Sequence, residues 1–262
     1  MKFPDISTLY SVFTKFPLVT TDSRKAAPGT IFFALKGDNF NGNQFAESSL
    51  KQGCGYVVID EEKYYQGEQY ILVKDCLKAL QELAHYHRRQ LKIPFIAITG
   101  SNGKTTTKEF IHAVLSKKYR VLATTGNLNN HIGVPLTLLS ATPETEIAII
   151  EMGANHIGEI SMLCGIADPD YGLITNIGKA HIGEFGSFEG IVKAKTEMYQ
   201  FLRRRGGKIF INSSNELLLI HLSVPCLEVN FFVTFSILMP YEFWFNCIKL
   251  SKPMNVYDAG FF

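Results

Sequence analysis

Short runs of apolar residues alternate along the chain with stretches whose apolar positions recur every three or four residues. The runs IFFAL (31–35) and YVVID (56–60) read as strands, with NQFAESSLKQG between them as a helix ending at Gly53. Asp75 stands where an N-cap belongs, ahead of CLKALQELAHYHRRQ, in which Leu77, Leu80, Leu83 and Ala84 share one helical face; Pro94 then opens a new unit. From there the pattern predicts strand PFIAIT, a helix from about Lys104, strand RVLAT, a helix near PLTLL and strand EIAIIEM. Helix GEISMLCGIA, strand YGLITNI, helix FEGIVKAKTEMYQFL and strand KIFIN complete the series. Regular strand-helix alternation predicts an α/β fold with a mostly parallel, doubly wound sheet behind a smaller N-terminal α/β unit.

The pattern fails at His221. Residues 221–262 hold ten aromatics in 42 positions and five charged residues, against 22 aromatics in the preceding 220. The run FFVTFSILMPYEFWF is broken by Pro240 and Glu242. That leaves about ten uninterrupted apolar residues, short of the ~20 a spanning helix needs, so no membrane insertion is expected. Neither alternation nor helical periodicity organises this tail, which reads as a foreign or frame-shifted end. Three segments are therefore expected: 1–90, 91–220 and the atypical 221–262.

Composition changes little else. Twenty-six basic residues against 24 acidic ones give a net charge of +2, too small to indicate a nucleic-acid partner. The five cysteines, Cys54, Cys76, Cys164, Cys226 and Cys247, are odd in number and contain no CxxC pair, which suits a reducing cytoplasm better than a disulfide framework or zinc site. The N-terminus lacks the apolar core of a signal peptide.

The strongest chemical signal is ITGSNGKTTT, where an apolar strand enters a Gly-rich turn and then a helix. Backbone N–H groups of Gly100, Ser101, Asn102, Gly103, Lys104, Thr105 and Thr106 would hold phosphate oxygens. Lys104 would neutralise the β/γ charge, and the Thr105 hydroxyl would ligate Mg²⁺. Two residues separate Gly100 from Gly103, where the general phosphate-loop pattern has four. Glu151 ends the apolar strand EIAII, so its carboxylate should emerge at the C-terminal edge of the sheet, in reach of a hard cation. A helix start at GKT and a solvated strand-end carboxylate are the plainer alternatives.

The short loop TGSNGKTT resembles the nucleotide-binding loop of the Mur ligase family, ATP-dependent amide ligases of peptidoglycan synthesis. Further blocks agree: TDSRKAAPGTIFFALKGDNFNGNQFA, GNLNNHIGVPLTLL, and EMGANHIGEI followed by AHIGEFGSFEGIVKAKTEM. The middle blocks are most similar to the branch that adds D-alanyl-D-alanine to UDP-N-acetylmuramoyl-tripeptide. The resemblance covers about residues 18 to 213 and implies a uridine-nucleotide domain followed by a central ATP-binding domain.

That resemblance implies ATP with two Mg²⁺ sites. Lys104, Glu151, His181 and Lys195 are then catalytic, with Thr105, Glu151, His181 and a carbamylated Lys195 as metal ligands. Taken alone, Lys195 is an ordinary helix residue, and Lys193 is its nearest rival. The resemblance also turns Asn127 and Asn130 toward the muramoyl nucleotide and makes Thr21, Ser23 and Arg24 a uridine-diphosphate site. Otherwise TDSR is a β-turn, and the asparagines satisfy turn backbone. Asn155 and His156 would shape the edge beside Glu151. Asn41 and Asn43 stand where the family commonly has Asp and His, which leaves substrate contacts of that loop open.

The implied chemistry is activation of the tripeptide carboxylate as an acyl phosphate and its capture by the amine of D-alanyl-D-alanine. After Asn212 no adenine-contacting DDxYNANP-like segment and no C-terminal Rossmann-like domain are recognisable, so a truncated chain, weakly active or inactive alone and monomeric, is expected. The rivals are the ligase that adds the third stem residue, a folylpolyglutamate synthase, a non-catalytic nucleotide-binding remnant, and a generic phosphate-loop kinase.

Overall fold

The computed structural model describes residues 3–178, 182–211 and 218, and they group into two compact units. The first comprises the chain up to Lys92 together with His131–Pro143; the second comprises Ile93–Asn130 and the described residues from Glu144 onward.

Unit 1 begins with helix α1 (Ile6–Lys15), whose first turn is capped by Asp5 through a 2.8 Å bond from Thr8 N to Oδ1. Strands β1 (Leu18–Thr20) and β2 (Thr30–Phe33) follow, then a small antiparallel hairpin of β3 (Lys36–Gly37) and β4 (Phe40–Asn41). The predicted helix at 43–53 divides into a 3-10 turn, Gly42–Phe45, and α2 (Ala46–Lys51). Strands β5 (Tyr56–Ile59) and β6 (Tyr70–Leu72) complete a four-stranded parallel sheet in the order β1-β2-β5-β6.

Every residue of β2 is buried, as expected of an inner parallel strand covered on both faces. Helix α3 (Cys76–Gln90) is capped by Asp75 as predicted and buries Cys76, Ala79, Leu80, Leu83, Ala84 and His87, which leaves Leu77 at the margin of the face.

The chain then builds the second sheet. Strand β7 (Phe95–Thr99) runs into α4 (Lys104–Leu115) and β8 (Val121–Ala123). The next helix, α5 (Gly133–Leu139), packs in unit 1 against α3 and β1, although its sequence lies inside the second strand-helix series. Strand β9 (Ile147–Glu151), α6 (Glu159–Ala167), β10 (Tyr171–Ile174), the short α7 (Ile182–Phe185), α8 (Phe188–Arg205) and β11 (Lys208–Ile211) follow.

All five strands are parallel in the order β11-β10-β7-β9-β8. Ile96, Ile98, Ile147, Ile149 and Leu173 form the core with Ile111 and Leu115 of α4. The connection leaving β7 travels toward β8, whereas the one leaving β10 travels the other way to β11. The C-terminal ends of the neighbouring strands β7 and β10 therefore form a topological switch point, where open α/β sheets bind ligands. No helix among the described residues is long and apolar enough to cross a membrane. The aromatic segment 221–262 lies outside the described residues.

Candidate active site

The loop Gly100–Gly103 leaves β7 at this switch point. Gly100 (φ 147°) and Gly103 (φ 76°) adopt backbone angles that side chains disfavour, and a Cβ on Gly100 would lie 2.0 Å from Thr175 Oγ1. Gly103 is the N-cap of α4, and no side chain caps the helix. Its first-turn N–H groups, at the positive end of the helix dipole, thus face outward for an anion. Lys104 is half-buried and folds back, its Nζ donating to the Gly100 carbonyl at 2.9 Å. Burial lowers its pKa, and the charge of Glu151 opposes that shift. The loop thereby places one cation and one helix N-terminus at the same sheet edge.

Glu151 ends β9 on that edge, 1% exposed. Its Oε1 accepts from Thr105 Oγ1 at 3.2 Å and from Asn129 Nδ2 at 2.9 Å, and its backbone N donates to Thr124 Oγ1 at 2.9 Å. Oε2 is buried without a hydrogen-bond partner. A buried carboxylate oxygen left unpaired is costly, which fits a site completed by a hard cation held jointly by Thr105 and Glu151. Among the described residues no group of three or more His, Cys, Asp or Glu side chains forms a metal cluster. This donor set suits Mg²⁺, which takes one or two protein oxygens and fills its shell with phosphate and water.

Lys195 projects from α8 and is 3% exposed; its Nζ donates to the Ala154 carbonyl at 3.3 Å and lies 5.4 Å from the Phe185 ring centroid. Burial first and the charge of Lys104 second lower its pKa to about 8, against the opposing pull of Glu159 and Glu197. Lys193, the rival on the same helix, is exposed. One turn beyond Lys193, Glu197 reaches across to α6, accepting from Gly158 N at 2.6 Å and Ser161 N at 2.9 Å. Asn155 and His156 donate their backbone N–H groups to Glu159 Oε2, which folds the 153–158 loop beside Glu151. His181 lies outside the described residues.

Of the turn asparagines, Asn127 and Asn130 are exposed. Asn129 is the one turned toward Glu151, and Gly153 leaves room for its side chain, since a Cβ there would sit 2.9 Å from Asn129 Oδ1. In unit 1, Thr21, Ser23 and Arg24 follow β1 at the C-terminal edge of its own sheet. Asp22 caps the 3-10 turn Ser23–Lys25 and holds the Arg24 fork by two bonds of 2.9 and 2.8 Å. These hydrogen bonds keep the Asp22 carboxyl down at about 2. The Arg24 side chain is 87% exposed, so its guanidinium remains at the surface even while paired.

Asn43 is fully buried and exchanges bonds with Asp60, Nδ2 to Oδ1 at 2.9 Å and Asp60 N to Oδ1 at 3.0 Å. The amide thus has a tethering role, locking the 37–43 loop to the end of β5. Lys36 pairs with the same carboxylate at 3.1 Å.

Comparison with known proteins identifies relatives of the chain. The family description "Mur ligase middle domain" matches residues 98–252, running into the aromatic segment, and "Mur ligase family, catalytic domain" matches residues 15–88. The UDP-N-acetylmuramoyl-tripeptide--D-alanyl-D-alanine ligase of Bacillus subtilis is 47% identical over 195 residues, 74% of this chain and 43% of that protein. The enzyme of the same name from Escherichia coli is 42% identical over 200 residues, 76% of this chain and 44% of its own length.

Among solved structures, MurF from Acinetobacter baumannii superposes with a TM-score of 0.73 at 34% identity, covering 85% of this chain and 52% of that one. MurF from Thermotoga maritima in complex with ADP gives 0.67 at 29% identity, covering 77% and 51%. The chain thus spans less than half the length of the curated relatives it matches. Two matching domain descriptions in chain order, with a glycine loop, helix N-terminus and buried glutamate at one sheet edge, lead to one conclusion: the chain belongs to the Mur ligase family.

Proposed function

We propose that this chain carries the nucleotide-sugar and ATP sites of the ligase that joins D-alanyl-D-alanine to UDP-N-acetylmuramoyl-tripeptide. Unit 1, on this reading, takes the uridine-diphosphate end through Thr21, Ser23 and Arg24, and unit 2 takes ATP. The observation that carries it is the loop from Gly100 to Thr106 feeding α4 beside the unpaired Glu151 oxygen. The named activity of the relatives supplies the substrates.

In the reaction the tripeptide carboxylate oxygen attacks the γ-phosphorus, the bond to ADP breaks, and an acyl phosphate forms. The D-alanyl-D-alanine amine then attacks the acyl carbon, a C–N bond forms, inorganic phosphate leaves, and the amine proton passes to solvent. Two anions must meet in the first step, so the protein's contribution is positioning and charge neutralisation. Lys104 and the α4 N–H groups hold the phosphates. Thr105 and Glu151, with His181 and carbamylated Lys195, would hold Mg²⁺, which would supply neutralisation of the phosphoryl charge. Asn127 and Asn130 line the muramoyl side.

For Lys195 we propose carbamylation: its neutral amine adds to CO₂, an N–C bond forms and one proton is released. A pKa lowered to about 8 populates that amine near neutral pH, and the Lys104 charge that disfavours an ammonium favours the resulting carbamate. A ¹³C-bicarbonate NMR experiment should show a carbamate resonance that Lys195→Arg removes; no such resonance contradicts the modification.

Substrate class is tested by calorimetric titration of the folded chain with UDP-N-acetylmuramoyl-tripeptide. Saturable binding, weakened by Arg24→Ala, is expected. Absence of saturable binding overturns the substrate assignment.

A further inference from the structure

The phosphate loop is held from outside. With two residues between its glycines it is shorter than the general pattern. Its backbone is pinned instead by Thr175–Gly178, the segment that leaves β10. Ser101 N donates to the Asn176 carbonyl at 3.0 Å. Ser101 Oγ donates to the Gly178 carbonyl at 3.1 Å, and Gly178 N lies 3.0 Å from the same Oγ. Thr175 Oγ1 donates to the Asn102 carbonyl at 2.6 Å.

The Asn176 side chain completes the set: Oδ1 accepts from Asn102 N at 3.1 Å while Nδ2 donates to the Asn102 carbonyl at 3.3 Å. One carboxamide thus pairs with both the N–H and the C=O of a single residue, as an adjacent strand would. Its orientation is dictated by those partners, because the reversed amide would set donor against donor and acceptor against acceptor. Gly100 must be a glycine for the same reason, since any Cβ would strike Thr175.

We propose that Asn176 is the positioning residue of the phosphate loop, templating Asn102 so that the N–H groups of Gly103 to Thr106 alone are presented to phosphate. Ser101 and Asn102, whose N–H groups are already committed to Asn176, then shape the loop without binding the anion. This inference rests on the reading of the loop as an ATP site.

The test is calorimetric titration of the whole chain with MgATP. Asn176→Ala removes both side-chain bonds. Asn176→Asp keeps the acceptor but opposes an oxygen to the Asn102 carbonyl. Both should weaken MgATP binding about tenfold or more, while UDP-N-acetylmuramoyl-tripeptide binding and the melting temperature stay near wild type. Thr175→Val should weaken MgATP in the same direction, and Thr175→Ser, which keeps the hydroxyl, should restore it.

Amide exchange followed by NMR on the unaltered chain needs no variant. Without nucleotide, Ser101 and Asn102 should be protected and Lys104 to Thr106 not, the latter becoming protected when MgATP is added. Wild-type MgATP affinity in Asn176→Ala, or exchange of Ser101 and Asn102 as fast as Lys104 in the free chain, overturns the proposal alone. A wild-type chain that fails to bind MgATP overturns the ATP reading and this proposal with it.

Discussion

Glu151 concentrates the chemistry of unit 2 in one buried side chain, with one oxygen satisfied by Thr105 and Asn129 and the other left unpaired. Glu151→Gln keeps an oxygen for both donors and removes the charge. In titrations with and without Mg²⁺, the metal should then no longer tighten ATP binding; an undiminished Mg²⁺ effect contradicts the ligand role. Gly100 is constrained by φ 147° and by Thr175 Oγ1, 2.0 Å from where a Cβ would stand. Gly100→Ala should destabilise the fold by about 1–3 kcal/mol in urea unfolding, as overpacked sites do. Adding Thr175→Ala should recover the steric part of that loss, whereas no loss in the single variant would show the contact to be slack. Lys104 and Glu151 were legible in the sequence because a strand running into GKT, or ending in an acid, fixes where a side chain emerges. Asn129 was not separable from Asn127 and Asn130, since three asparagines in one turn carry the same propensity. The bond from Asn129 Nδ2 to Glu151 Oε1, with the room left at Gly153, shows which of them faces Glu151.

At the scale of elements, His87 joins three segments of unit 1. Its Nε2 faces the Ala141 carbonyl at 3.1 Å, so that nitrogen carries the proton, and Nδ1 accepts from Tyr10 Oη at 3.3 Å. Phe13 packs edge-on against the ring at 5.0 Å. Burial lowers the His87 pKa, only partly offset by the Ala141 carbonyl. The unfolded chain therefore binds a proton that the folded chain refuses. Stability from this group is intact above the ordinary histidine value of about 6.5 and is lost as pH falls from there toward the folded pKa. His87→Phe should flatten the pH dependence of the melting temperature below that value; an unchanged slope would remove His87 as its source. The helix α3 carrying this residue was readable from its Asp75 cap and apolar face. The attachment of α5 to unit 1 was not, because GVPLTLL announces a buried helix without saying which sheet buries it. Strand β6 and the β3–β4 hairpin are too short to carry a pattern of their own, whereas α1 is signalled by its Asp5 cap and by Leu9 and Phe13 on one face.

For the whole molecule, two parallel sheets each carry their own core and present a loop-built C-terminal edge, the first with TDSR and the second with the Gly100–Gly103 loop. The alternation of strands and helices made this architecture legible, and the loop resemblance made the family legible. What stayed hidden was the hydrogen bonding of surface cations: Arg24 reads as a free phosphate fork, yet its guanidinium rests on Asp22 two residues away. The chain spans 43% of the Bacillus subtilis relative and 44% of the Escherichia coli one, so the claim most directly its own is nucleotide binding by unit 2. That claim is tested by calorimetric titration of the folded chain with ATP in the presence of Mg²⁺, beside Lys104→Ala. Saturable binding that Lys104→Ala weakens at least about a hundredfold is the predicted result, the size expected for losing a charged phosphate contact from a half-buried site. No binding by the folded chain, or equal binding by the variant, would contradict it.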